Sequence, residues 1–177
     1  MVSGRDSQKE ILDREEIYLG LGANTGDRRA TITKALCALT ESGVVIESVS
    51  PIYETEPIGV EDQPWFLNLV VRARSALSAE DVLAECKRIE TELGRRPGVR
   101  FGPRPIDIDI LLYGRLVSND DRLSIPHPRM RERRFVLVPL MDIAPDLTDP
   151  RDGARFAAVL AGLDEEKKVT TSLSNES

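Results

Sequence analysis

The chain is nearly without the residues that disulfide scaffolds and zinc sites require: two cysteines and one histidine in 177 residues. No CxxC pair and no Cys/His cluster points to zinc. Cys37 and Cys86 lie far apart, each at an apolar position of an expected helix, and read as core thiols of a reducing compartment. Apolar runs long enough to span a membrane are also lacking, and residues 1–16 are too polar for a signal-peptide core. A cytoplasmic location with no membrane partner is therefore expected. A net charge of −6 argues against general nucleic-acid binding, and no aromatic RNA-binding pattern is present.

The apolar (41%) and charged (31%) fractions are those of an ordinary globule, and the length suits one domain. Residues 17–163 are expected to form it, with flexible extensions at 1–16 and 164–177. Strands are expected at 17–21, 44–49, 65–74 and from 107. A helix over 28–41 is capped by Asp27 and stopped by Gly43; a second opens at Ser78-Ala79-Glu80-Asp81 and ends at Gly94. A short strand near Leu116, a helical piece over 129–143 and a last helix over 153–162 follow. This order predicts an α+β, ferredoxin-like βαββαβ sandwich with a mainly antiparallel sheet and additional C-terminal helices.

Charge is unevenly spread. Residues 95–134 hold ten arginines against five acids, a local +5 that leaves −11 on the rest of the chain. Such a concentration on an acidic protein points to a small, highly anionic ligand. Within it, the alternation of Ile106-Asp107-Ile108-Asp109-Ile110 predicts a strand that places Asp107 and Asp109 on one face. Aspartate is a poor strand former, and two like charges side by side repel. A divalent cation reverses that cost, and Mg²⁺ with phosphate suits such a carboxylate pair. Arg104, three residues upstream, is a planar donor for phosphate oxygens.

Other features are less specific. Gly20-Leu21-Gly22-Ala23-Asn24-Thr25-Gly26 fails both the dinucleotide fingerprint and the P-loop pattern, and tight packing of the first strand on its helix accounts for the glycines. His127 stands between Pro126 and Pro128, which restrict its backbone, and the arginines that follow suggest a phosphate contact. Phe66, Asn68 and Phe135 are candidates for binding a flat heterocycle by stacking and amide pairing, although the two phenylalanines alone would read as core.

Four blocks in order resemble the 6-hydroxymethyl-7,8-dihydropterin pyrophosphokinase family of folate biosynthesis. They are Gly22-Ala23-Asn24; Ser50 to Thr55 with Asp62 to Asn68; Arg100 to Leu111; and Ile125-Pro126-His127-Pro128 to Pro139-Leu140. The resemblance covers about residues 17–148. It implies diphosphoryl transfer from ATP to the pterin hydroxymethyl oxygen, with ATP as co-substrate and two Mg²⁺ ions held by Asp107 and Asp109. It also implies a pterin pocket of Thr55, Ile58, Phe66, Asn68 and Phe135. Glu90, Arg100, Ile110, Ser124, His127 and Arg133 fall at ATP-side positions, and Arg95 and Arg104 act on the transferring group, Arg95 from a mobile loop. Four departures stand out. Phe101 replaces a common tryptophan, Pro128 replaces a tyrosine, Lys87 stands where some members have glutamine, and the 95–105 loop is one residue shorter than in some. Two other classes compete: a metal-dependent glycosyltransferase with a DxD pair, which usually needs a larger domain, and an RNA-binding ferredoxin-like module. A monomer with small-molecule partners is expected.

Overall fold

Odd and even positions of the first strand go to opposite layers. In β1 (Glu15–Ala23), Ile17, Leu19, Leu21 and Ala23 are buried against one helical layer, while Tyr18, Gly20 and Gly22 face the other side. A computed structural model describes residues 14–59, 62–98, 102–164 and 169–172 of the chain. β1 is central, antiparallel to β4 (Phe66–Ser75) on one edge and to β5 (Asp107–Tyr113) on the other. β2 (Val45–Val49) and β3 (Tyr53–Thr55) share the far edge of β4, one at each end, and β8 (Val169–Thr171) pairs with β3. β6 (Ser118–Asn119) and β7 (Ser124–Ile125) form a separate two-stranded ribbon.

The first face is covered by α1 (Arg28–Glu41) and α2 (Ala79–Glu92). Ile32, Ala35 and Leu39 of α1, with Val82, Cys86 and Ile89 of α2, complete the main core with the odd-numbered residues of β1. Asp27 caps α1 by accepting from the Ala30 N–H (3.0 Å), and Ser78 caps α2 by accepting from the Asp81 N–H (3.1 Å). The second face is covered over half its length only. There α3 (Arg134–Ile143) and α4 (Phe156–Ala161) bury Leu137, Leu140 and Phe156 against Tyr18, Val70, Leu111 and Leu112. The half carrying Gly20 and Gly22 stays open.

The expected ferredoxin-like architecture is present, with local differences. Cys37 is exposed, because it lies away from the Ile32/Ala35/Leu39 stripe of α1, whereas Cys86 is buried as expected. The irregular stretch 50–64 contains β3. The strand expected near Leu116 is a turn, and the strand itself begins at Ser118. The helical piece over 129–143 is divided into a 3₁₀ turn (Met130–Glu132) and α3, and the last helix covers only part of 153–162. Part of the tail expected to be flexible forms β8, and β1 begins two residues before the expected domain start. Among the described residues, no helix is long and apolar enough to cross a membrane.

Candidate active site

Two rows of side chains cross the open half of the second face. Asp107, Gly22, Asn68 and Tyr53 are register neighbours across four strands, and Asp109, Gly20 and Val70 form the adjacent row. The glycines face away from α1, so helix packing does not account for them. They form the floor of a cavity of about 280 Å³. A Cβ on Gly22 would stand 2.6 Å from the Asn68 Oδ1, so any side chain there would displace the amide and fill the floor.

At one end of the cavity Phe66, Phe135 and Ile58 surround a buried polar pair, in which Asn68 Nδ2 donates to Thr55 Oγ1 (2.6 Å). That contact leaves the Asn68 Oδ1 over Gly22 as an acceptor. The Arg133 guanidinium lies 5.5 Å from the centroid of Phe135. An aromatic slot with a fixed amide suits a flat, nitrogen-rich ring.

At the other end stand the two carboxylates. Asp107 Oδ1 accepts from Arg95 Nη1 (2.5 Å) and Oδ2 from Arg104 Nη1 (3.1 Å). Burial works to raise this carboxyl, but the two guanidiniums outweigh it and hold it below its ordinary value. Among the described residues Asp109 has no partner so close: His127 Nε2 stands 3.8 Å away and Arg133 Nη1 4.0 Å. Burial first, and the Asp107 charge second, push its carboxyl up to about 6. A half-exposed carboxylate that accepts no hydrogen bond from the described residues, beside a second on the same strand face, is a donor set that fits a hard cation such as Mg²⁺. Among the described residues no group of three or more His, Cys, Asp or Glu does so. The remaining positions of such a cation would be left to water and ligand oxygens.

His127 is held neutral, burial and the Arg133 charge moving it down to about 4. Its Nδ1 accepts from the Arg129 N–H (3.2 Å), so the neutral ring carries its proton on Nε2, the atom facing the cavity. The ring reaches this place through a bulge. Register slips by one residue between Leu19 and Tyr18, and the extra residue, Leu111, presents its carbonyl to the His127 N–H (2.9 Å).

Arg95 is aimed by the end of α2. Gly94 (φ 97°) makes a Schellman turn in which the Gly94 N–H bonds Thr91 O (3.1 Å) and the Arg95 N–H bonds Glu90 O (2.9 Å). Below it, the Glu90 carboxylate accepts from the Ile108 N–H (2.7 Å) and Lys87 (3.0 Å) and forms an ion pair with Arg95 (2.8 Å). Burial raises Glu90, opposed by these donors. Asn24 links two loops. Its Nδ2 donates to Gln63 Oε1 (2.9 Å) and Pro64 O (3.0 Å), and its Oδ1 accepts from the Arg104 N–H (2.9 Å).

Of the residues singled out from the sequence, Thr55, Ile58, Phe66, Asn68, Arg95, Arg104, Asp107, Asp109, His127, Arg133 and Phe135 line this one cavity. Three do not. Glu90 lies buried beneath the arginines, the Ile110 side chain faces the main core, and the Ser124 hydroxyl donates to Asp120 O (3.1 Å). Arg100 lies outside the described residues. Lys87 and Arg129 also line the cavity without having been assigned a role from the sequence. Their signal was periodicity: Lys87 precedes Glu90 by one helical turn, and Arg129 lies two residues past His127.

With divalent metal removed by EDTA, Asp109→Asn is expected to raise the melting temperature at pH 7.5. The folded-state value (about 6) exceeds the ordinary 3.8, so ionised Asp109 opposes folding at neutral pH. That penalty disappears as pH falls through about 6 towards 4, and the gap between the variant and the original chain should close. A gain of about 3 °C or more would correspond to roughly 1 kcal/mol in a domain of this size. A gap that stays constant from pH 7.5 to 4.5 would reject the account of Asp109 as a partly desolvated carboxylate.

The model of the 7,8-dihydro-6-hydroxymethylpterin-pyrophosphokinase (HPPK) family matches residues 18–145. A 2-amino-4-hydroxy-6-hydroxymethyldihydropteridine pyrophosphokinase of Bacillus subtilis is 41% identical over 156 residues, covering 84% of this chain and 93% of its own length. The mitochondrial folate synthesis bifunctional protein of Pisum sativum is 48% identical over 129 residues, 73% of this chain, and the match spans only 25% of that longer relative. Wild-type HPPK-DHPS of Plasmodium falciparum has a TM-score of 0.66 over 84% of this chain and 44% of its own, with 15% identity, which is a likeness of fold. The family model and the Bacillus subtilis relative show that the chain belongs to the HPPK family.

Proposed function

We propose that the chain transfers the β,γ-diphosphoryl group of ATP to the hydroxymethyl oxygen of 6-hydroxymethyl-7,8-dihydropterin, giving AMP and the pterin diphosphate. The observation that carries this reading is the continuous glycine floor, which joins an aromatic amide slot to a carboxylate and arginine cluster within one cavity. A flat ring in the slot directs its substituent along that floor towards Asp107 and Asp109.

Each end has a defined task. Phe66 and Phe135 sandwich the ring, while Asn68, locked by Thr55, reads its hydrogen-bonding edge. Lys87, Arg95, Arg104, Arg129 and Arg133 outnumber the carboxylates of Glu56, Glu90, Asp107 and Asp109 by one, and the excess positive charge, gathered at the aspartate end, attracts a polyphosphate. His127 donates from Nε2 without titrating near neutral pH. The hydroxymethyl oxygen forms a bond to the β-phosphorus as the bond to the α-phosphate oxygen breaks, and AMP leaves. Arg95 and Arg104 stabilise charge on the transferring group in the transition state. Asp107 and Asp109 would hold two Mg²⁺ ions, which when bound would supply Lewis-acid polarisation of the phosphoryl oxygens and acidify the attacking hydroxyl. The free thiols of Cys37 and Cys86 support a reducing, cytoplasmic compartment, and a monomer is taken as the working form.

The direct test incubates the protein with ATP, Mg²⁺ and the pterin and separates the adenine nucleotides by ion exchange. Pterin-dependent AMP without ADP supports diphosphoryl transfer. ADP would mean transfer of a single phosphoryl group, and no turnover by folded protein would reject the reading. Arg104→Ala should lower kcat about 100-fold or more, the scale of losing a transition-state donor, with a smaller change in the ATP KM. An unchanged kcat would count against that role. Asn68→Ala should raise the pterin KM roughly 10-fold, the loss expected from one buried hydrogen bond, and spare ATP. Equal losses for both substrates would disprove the slot assignment.

A further inference from the structure

Strand β3 is three residues long, and a short edge strand alone is a weak support for a binding site. It nevertheless carries Thr55, the partner of Asn68, and leads into Glu56 and Ile58 on the cavity wall. One edge of β3 pairs with β4. The other is covered by β8, with Tyr53, Glu54 and Thr55 opposite Thr171, Thr170 and Val169. The Ser172 N–H donates to Ile52 O (2.8 Å), and the Thr170 hydroxyl to Glu54 O (3.3 Å).

Two arginines fasten this edge to the first turn of α1. Arg29 Nη2 donates to Ser172 Oγ (2.6 Å) and to its carbonyl (3.3 Å). Arg28 Nη1 donates to Glu54 Oε1 (2.9 Å) and to the Trp65 carbonyl (2.8 Å). No acid stands in that turn, and basic residues there oppose the helix dipole. The helix gains nothing from them, whereas β3, β8 and the entry to β4 do.

We propose that β8 is a positioning element for the pterin end of the cavity, clamping β3 against β4 so that Thr55 holds Asn68 in place. The proposal rests on the pterin reading of that end given above. It assigns the stretch 169–172 a part in substrate affinity although none of its residues lines the cavity.

Thr170, two residues before Ser172, presents its N–H to β3 in the same register, and Thr170→Pro removes that donor. In the full-length variant, confirmed as folded by thermal melting, amide exchange at Tyr53–Thr55 should accelerate at least about tenfold, the signature of a lost ladder. The dissociation constant for 6-hydroxymethyl-7,8-dihydropterin should rise by a similar factor, while that of a non-hydrolysable ATP analogue stays unchanged. Thr170→Val, which keeps the N–H and loses only the 3.3 Å hydroxyl contact, should stay much nearer the original chain than Thr170→Pro, and Arg29→Ala should shift both readouts in the direction of Thr170→Pro. Unchanged exchange at β3 would overturn the clamp. So would faster exchange with unaltered pterin affinity, or equal loss of affinity for both ligands. An original chain that binds no pterin would instead overturn the functional reading, and accelerated β3 exchange would then still support the clamp.

Discussion

Asp107 and Asp109 stand side by side on one strand in a partly desolvated cavity, and their mutual repulsion is the constraint that the surrounding structure answers. It is answered unequally. Asp107 is met by two guanidiniums, whereas among the described residues Asp109 has the more distant His127 and Arg133 and the charge of Lys87. The pair therefore divides into a carboxylate held firmly ionised and one still needing a counter-charge. A site of this kind is open to a cation and to the anion that travels with it.

Each counter-charge owes its place to a local backbone feature. Gly94 ends α2 and turns Arg95 back over Glu90, and the buried Glu90 fixes Arg95 and Lys87 while satisfying the Ile108 N–H. The bulge at Leu111 frees a carbonyl for His127. Asn24 ties the start of the Arg104 segment to the residues before β4. These contacts join α2, β1, β5 and two loops, so the carboxylate and arginine end of the cavity behaves as a unit rather than as a set of independent side chains.

The sheet itself separates stability from chemistry. Its first face is covered along its length by α1 and α2, and the second only over the half under α3 and α4. The uncovered half would be a liability if it were apolar. It carries glycine, aspartate and asparagine instead, and short strands brace its far edge.

Much of this was legible in advance, for definite reasons. Period-two alternation in Ile106 to Ile110 fixed which face the aspartates share, capping residues marked both long helices, and the Arg-rich segment supplies the cavity's Arg95, Arg104, Arg129 and Arg133. Contacts between distant segments were not legible. Cys37 was misplaced because an apolar type does not say which side of a helix it occupies, and Gly20 and Gly22 because alternation cannot say which face bears the helices. Glu90 and Ile110 came from family likeness, and their side chains lie beneath the site rather than in it. β3 and β8 are too short to show a period. The sequence by itself thus determined the elements, the carboxylate face and the family, because these depend on local spacing and on motifs. Only the tertiary structure decided which arginine meets which carboxylate, which half of the sheet stays open and what braces β3, because those pairings depend on side chains far apart along the chain.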